Sequence, residues 1–134
     1  MKLSLALLGL ITFSLPISFA QADEHSALKP VPRTGGWMTR HESFNKRVSQ
    51  GKVDLVFIGD SITQGWEGAG KSIWQEFYGE RNAVNLGIGG DRTQHVIWRL
   101  DNGNFKDITP KAAVIMIGTN NSGANSLHTC LVSQ

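Results

Sequence analysis

Apolar positions come in blocks whose period changes along the chain, and each change marks an element. Leu3 to Phe19 is almost wholly apolar, with small residues among the leucines. From Asp23 to Gly36 the chain turns polar, with Pro30, Pro32 and the Gly35-Gly36 pair, which predicts an extended lead-in. Trp37, His41, Phe44 and Val48 then recur at four-three-four spacing, while Arg40, Glu42, Lys46 and Arg47 fall elsewhere. That is the pattern of an amphipathic helix, and Gly51 is placed to end it.

Val53 to Ile58 is an apolar, β-branched-rich run that stops at Gly59-Asp60-Ser61, a first strand. Ser72 to Tyr78 carries Ile73, Trp74 and Phe77 at helical spacing, read as core-facing. Ala83 to Leu86 is a short second strand running into Gly87-Ile88-Gly89-Gly90-Asp91. Thr93 to Leu100 predicts a helix with Val96, Ile97 and Leu100 inward, Asp91 as its N-cap and Gln94 completing a capping box. Asp101-Asn102-Gly103-Asn104 is a turn, and Pro110 closes the connection. Ala112 to Ile117 is an uninterrupted apolar run ending in Gly118-Thr119-Asn120-Asn121, read as a third strand buried on both faces. Strand, helix, strand, helix, strand in this order predicts an α/β fold with a parallel sheet and right-handed crossovers. All three strands end in small or polar residues, at the edge where such sheets gather ligands.

Composition narrows this further. With 40% hydrophobic and 18% charged residues, the 134-residue chain reads as a globular domain, and its formal charge of +2, without any Lys/Arg block, gives no reason to expect a nucleic-acid partner. Lys2, the apolar run and the small-x-small Ala20-Gln21-Ala22 together read as a signal peptide over residues 1–22, implying export to a periplasmic or extracellular address. The run is short for a membrane span and Pro16 interrupts it, so no stable membrane anchor is expected. The single cysteine, Cys130, has no partner for an internal disulfide.

A serine at the turn out of a buried strand is a good address for a nucleophile. Acyl transfer also needs donors aimed at the oxyanion, and the Ser61 N–H, the N–H of a glycine at the second strand end and the Asn120 amide are candidates. Each feature has a plainer reading. Ser61 or Asp60 can cap a helix, the glycine run can bind phosphate, and Asn120 can hold a turn together. The glycine run alone lacks the last glycine of the dinucleotide fingerprint.

Taken in order, Gly59-Asp60-Ser61, Gly90 and Gly118-Thr119-Asn120 resemble the first three blocks of the SGNH, or GDSL-type, hydrolases. Asn85 to Asp91, Thr93 to Val96, Gly118 to Asn121 and the Trp37-Met38 helix start are closer still to the platelet-activating-factor acetylhydrolase-like branch. The resemblance covers roughly Trp37 to Gly123. It implies a flavodoxin-like three-layer α/β/α fold and ester hydrolysis without metal or cofactor, in which Ser61 is the nucleophile and Ser61, Gly90 and Asn120 form the oxyanion hole, with Gly89 as the second choice of glycine. It suggests a small-molecule, lipid or glycan ester carrying a short, acetyl-like acyl group.

The chain departs from the family pattern at the fourth block, an Asp-x-x-His that supplies the general base. No Asp or Glu follows Asn120, and Asn125-Ser126-Leu127-His128 copies only the spacing, too soon after the third strand to serve. Residues 37–134 are therefore read as a partial SGNH domain, truncated after its third strand, which would leave Ala112 to Ile117 as an exposed edge. His41, on the apolar stripe, reads as a packed or partly exposed helix residue. Trp66 and Glu67 read as acyl-pocket or exposed loop residues. The alternatives to a serine esterase are a non-catalytic ligand-binding remnant of the same fold and a phosphate or cofactor binder.

Overall fold

The structure, a computed structural model, describes residues 25–122. The signal-peptide reading of residues 1–22, Cys130 and His128 lie outside the described residues.

Helix α1 (Gly36–Val48) buries Trp37, His41, Phe44 and Val48, the four positions its periodicity sets on one face. Gly51 ends it with φ +69, a left-handed turn, and donates its N–H to the Val48 carbonyl at 2.9 Å. The chain continues through β1 (Leu55–Gly59), a single helical turn α2 (Ser61–Gln64) and α3 (Lys71–Tyr78). After β2 (Ala83–Gly87) comes α4 (Thr93–Arg99), and then a wide turn over Leu100–Asn104, in which Gly103 takes φ +115. Last are β3 (Ala112–Met116) and the short α5 (Thr119–Ser122).

The three strands form one parallel sheet in the order β2-β1-β3, with Gly59 opposite both Gly87 and Met116. This is the order in which a flavodoxin-like sheet begins. Because side chains alternate across a strand, β1 faces two layers. Val56 and Ile58 join Val84 and Leu86 of β2 under α1 and α4, where Trp37, Phe44 and Val96 complete the main core. Phe57 points the other way, into an aromatic cluster with Trp66, Trp74 and Tyr78 at ring-centroid distances of 6.4, 4.8 and 4.9 Å.

Several sequence expectations are corrected. On α3 the packed pair is Trp74 and Tyr78, one turn apart, while Ile73 and Phe77 are 46% and 52% exposed; a helix this short sits on the sheet by one narrow stripe. The N-cap of α4 is Arg92, not Asp91, with the His95 Nδ1 accepting the Arg92 N–H at 3.0 Å. Asp91 and Gln94 are instead buried for other bonds, described below. Ile97 is only half-buried, and Arg99 takes the innermost place on α4. Trp66 is not an exposed loop residue but packs into the aromatic cluster, while the neighbouring Glu67 is exposed, as one of its two readings had it, and pairs with Arg40 at 2.7 Å. The largest difference is β3. Its composition suits a strand covered on both faces, yet it is exposed throughout, because no described helix crosses it and its outer edge has no described neighbour.

Candidate active site at the strand ends

The site is built by three turns out of three strands. β1 ends at Gly59, where a side chain would run into the Thr63 side chain and the Met116 carbonyl. The turn can therefore fold tightly back on the sheet. Asp60, 1% exposed, caps α2 through its Oδ1, which accepts the Ile62 N–H at 3.0 Å. Ser61 follows as the first helical residue and is exposed at the carboxyl end of β1.

β2 ends beside it. A side chain on Gly87 would collide with the backbone of Thr63 and Gln64, and the Gly89 N–H donates to the Gln64 Oε1 at 2.7 Å. The Ser61 Cβ lies 3.7 Å from where a Cβ on Gly89 would stand, so the glycine turn runs directly beside the serine. Gly90 follows with φ +75.

β3 delivers the third group. The Asn120 Nδ2 donates to the Asp91 carbonyl at 2.8 Å and to the Asp60 Oδ2 at 3.2 Å, which ties the three strand ends together. Asn121 fastens the start of α4: its Oδ1 accepts the Thr93 N–H at 3.0 Å, and its Nδ2 lies 3.1 Å from both Thr93 Oγ1 and Gln94 Oε1. Thus Ser61, Gly89, Gly90 and Asn120 share one end of the sheet. Their donors differ in availability. The Gly89 N–H is occupied by Gln64 and both Asn120 hydrogens are engaged, whereas the Gly90 N–H has no acceptor among the described residues.

Beneath this loop lies a buried polar network. The fully buried Asp91 accepts from Trp37 Nε1 at 2.6 Å, Arg99 Nε at 2.9 Å and Arg33 Nη1 at 3.2 Å. Arg99 continues to Asn104 at 2.8 Å, and Asn104 reaches His41 at 3.2 Å. Burial first, and then the positive charge of Arg99, lower the His41 pKa. Burial likewise lowers that of His95, with the nearby arginines adding to it and Asp91 opposing. Each described histidine is engaged elsewhere: His41 in this network, His95 at the start of α4, and His25 with the Ala27 N–H at 3.2 Å. No hydrogen-bond partner of Ser61 Oγ occurs among the described residues, and His128 lies outside them.

The phosphate reading of the glycine run finds little support in this arrangement. The first N–H groups of α4 are already bonded to His95 and Asn121, and Gly89 to Gln64. Among the described residues no cluster of His, Cys, Asp and Glu is arranged to hold a metal ion.

Arg33, Gln64, Arg99 and Asn121 were not legible as parts of the site. Two carried a signal: Arg99, a cation placed where the α4 helix buries its inner face, and Asn121, which ends the Gly118 to Asn121 run. The others depend on contacts between segments far apart in sequence.

A parallel α/β sheet with a serine, a glycine turn and an asparagine at three successive strand ends defines the class, a GDSL-type hydrolase fold. The chain belongs to the GDSL-like Lipase/Acylhydrolase family, whose model matches residues 57–131. It is 43% identical over 106 residues to the platelet-activating factor acetylhydrolase IB subunit alpha1 of Bos taurus, covering 75% of this chain and 45% of that protein. Its human counterpart is 42% identical over the same length. The alpha2 subunit of Rattus norvegicus is 42% identical over 85 residues, 63% of this chain and 36% of that protein. The chain thus spans less than half the length of these curated relatives.

Proposed function

We propose that the strand ends form the nucleophile and oxyanion side of a serine ester hydrolase acting on short-acyl, acetyl-like esters of lipids or carbohydrates. The observation that carries this reading is the meeting of Ser61, the Gly89-Gly90 backbone and Asn120 at one end of three parallel strands. Similarity to proteins named as acetylhydrolases supports the short acyl group, and the residue 1–22 pattern supports export.

In this reading Ser61 Oγ attacks the ester carbonyl carbon, and the oxygen that becomes negative accepts from the Ser61 N–H, the Gly90 N–H and the Asn120 amide. Gly90 is preferred to Gly89 because the Gly89 N–H already has an acceptor. The oxyanion competes with Asp60 for one Asn120 hydrogen. The Asp60 bond, at 3.2 Å, is the longer of the two, and the 2.8 Å bond to the Asp91 carbonyl keeps the amide aimed. A base must take the Ser61 proton, and no described histidine or carboxylate is hydrogen-bonded to Ser61 Oγ. A serine without a base is a weak nucleophile, so this reading requires a base from outside the described residues. The engaged Gly89 N–H and Asn120 hydrogens favour a second reading, a non-catalytic ligand-binding remnant of the same fold.

Purified protein treated with a neutral fluorophosphonate, alongside p-nitrophenyl acetate hydrolysis, separates the two. Labelling that maps to Ser61 and disappears in Ser61→Ala supports the hydrolase. A folded protein that neither labels nor hydrolyses, yet binds an acetyl ester, supports the remnant.

A further inference from the structure

We propose that Arg33, in the segment before α1, is a positioning residue that fixes and polarises the Gly90 N–H. This inference rests on the hydrolase reading above for its consequence, but its geometry stands apart from it. Arg33 Nη1 donates to the Gly89 carbonyl oxygen at 2.9 Å. The Gly89 carbonyl and the Gly90 N–H belong to one planar trans peptide unit and point in opposite directions, so whatever holds the oxygen also sets the direction of the N–H.

That hold matters because the unit lies between two glycines. Without side chains on either side the peptide can rotate at little steric cost, and Gly90 already occupies φ +75. Gln64 holds the preceding N–H at 2.7 Å, and Arg33 holds the following carbonyl. A charged donor on a carbonyl also strengthens the hydrogen bond that the same peptide can donate from its N–H.

The charge on Arg33 is not needed to neutralise Asp91. Arg99 does that at 2.9 Å with both side chains fully buried, whereas the Arg33 side chain is 37% exposed. Its guanidinium lies instead along Gly90, with Nη1 and Nη2 at 3.4 and 3.5 Å from where a Cβ on that glycine would stand. The segment carrying Arg33 is itself fastened. Ala27 accepts from Thr93 Oγ1 at 2.7 Å, and the Val31 N–H donates to the Gln94 carbonyl at 3.3 Å. Residues that read as a lead-in thereby form a strap over the second strand end.

The test uses the full chain, isotopically labelled, as wild type, Arg33→Met and Arg33→Lys. Methionine keeps the aliphatic stem and removes the donors; lysine restores one charged donor. The readouts are the order parameter and dipolar coupling of the Gly90 N–H, with Val56 and Leu86 as internal controls, and the rate of Ser61 phosphonylation by a neutral fluorophosphonate. In wild type the Gly90 vector is expected near the rigid value of about 0.85, and in Arg33→Met below about 0.6, with the controls unchanged and Arg33→Lys close to wild type. Phosphonylation is expected to fall about tenfold in Arg33→Met through its maximal rate, with half-saturation unchanged. A Gly90 vector equally rigid in Arg33→Met overturns the proposal. Should that variant fail to fold, Arg33→Gln replaces it and is read the same way. If Gly90 loosens but no form of the protein labels at Ser61, the positioning stands and the hydrolase reading fails.

Discussion

The Asn120 side-chain amide donates to the buried carboxylate of Asp60 across 3.2 Å, joining the end of the third strand to the residue that precedes Ser61. Asp60 thereby faces two donors, the Ile62 N–H and the Asn120 amide. Asn120→Ala removes one of them and leaves that carboxylate oxygen without its described partner. We expect a loss of about 1–3 kcal/mol in unfolding free energy and a fall of about 10²–10³ in the rate of Ser61 labelling. Urea titration and fluorophosphonate kinetics read the two effects separately; unchanged labelling in a folded variant would remove Asn120 from the oxyanion hole.

Asp91 and Arg99 form a fully buried ion pair at 2.9 Å. Asp91→Asn leaves Arg99 as an uncompensated buried cation and is expected to cost about 3–5 kcal/mol. The double variant Asp91→Asn, Arg99→Met removes the stranded charge and should recover part of that loss. A double variant no more stable than the single one, measured by denaturant midpoint, contradicts this account.

Gly59 has no room for a side chain between Thr63 and Met116. Gly59→Ala must push β1 and α2 apart, and overpacking of this kind costs about 1–3 kcal/mol. Gly51→Ala is the control, since nothing stands near its missing Cβ and only its left-handed φ of +69 is strained. It should cost about 1 kcal/mol.

His41 and His95 both have pKa values lowered from 6.5 in the folded protein, chiefly by burial. The unfolded chain therefore binds more protons than the folded one between the lowered values and 6.5. Stability is complete above that window, falls as pH drops through it, and stops falling on this account below the folded values. The melting temperature should decrease from pH 7 to pH 5, and His41→Gln should make the decline shallower. An equal slope in that variant would mean that His41 is not a source of the acid sensitivity.

β3 exposes Val114, Ile115 and Met116 by 46%, 64% and 50%. Apolar edges of this kind pair with other chains. Ile115→Lys is expected to lower the light-scattering signal of concentrated solutions severalfold while leaving the melting temperature nearly unchanged.

What could be read in the sequence was whatever a local period controls. The α1 face, the first and second strands and their glycine endings follow from spacing and turn chemistry, and α1 buries the four residues its spacing selects. The third strand lies where its apolar run put it, but its burial on both faces does not hold, because such a run records the environment a strand suits, while burial depends on what lies over it. Asp91 looked like a helix cap because short acids before helices often are. Its true partners, Trp37, Arg33 and Arg99, are brought to it by two helices and the segment before α1, and no local pattern encodes that meeting. The meeting of Ser61, Gly90 and Asn120 at one end of the sheet was legible through ordered motifs, whereas Gln64 and Arg33, which hold the glycine turn, are ordinary surface residue types until the fold is known.

The two layers over the sheet divide the four tryptophans evenly. Trp37 and Trp98 lie against the His41 ring at 5.8 and 5.1 Å, on the side of the polar network. Trp66 and Trp74 sit with Phe57 and Tyr78 on the opposite side. The molecule consequently carries two independent optical reporters. Emission from the first pair senses the protonation of an adjacent imidazole, and emission from the second senses the seating of α3. A titration followed by fluorescence can thus tell loosening of one layer from loosening of the other without any added label.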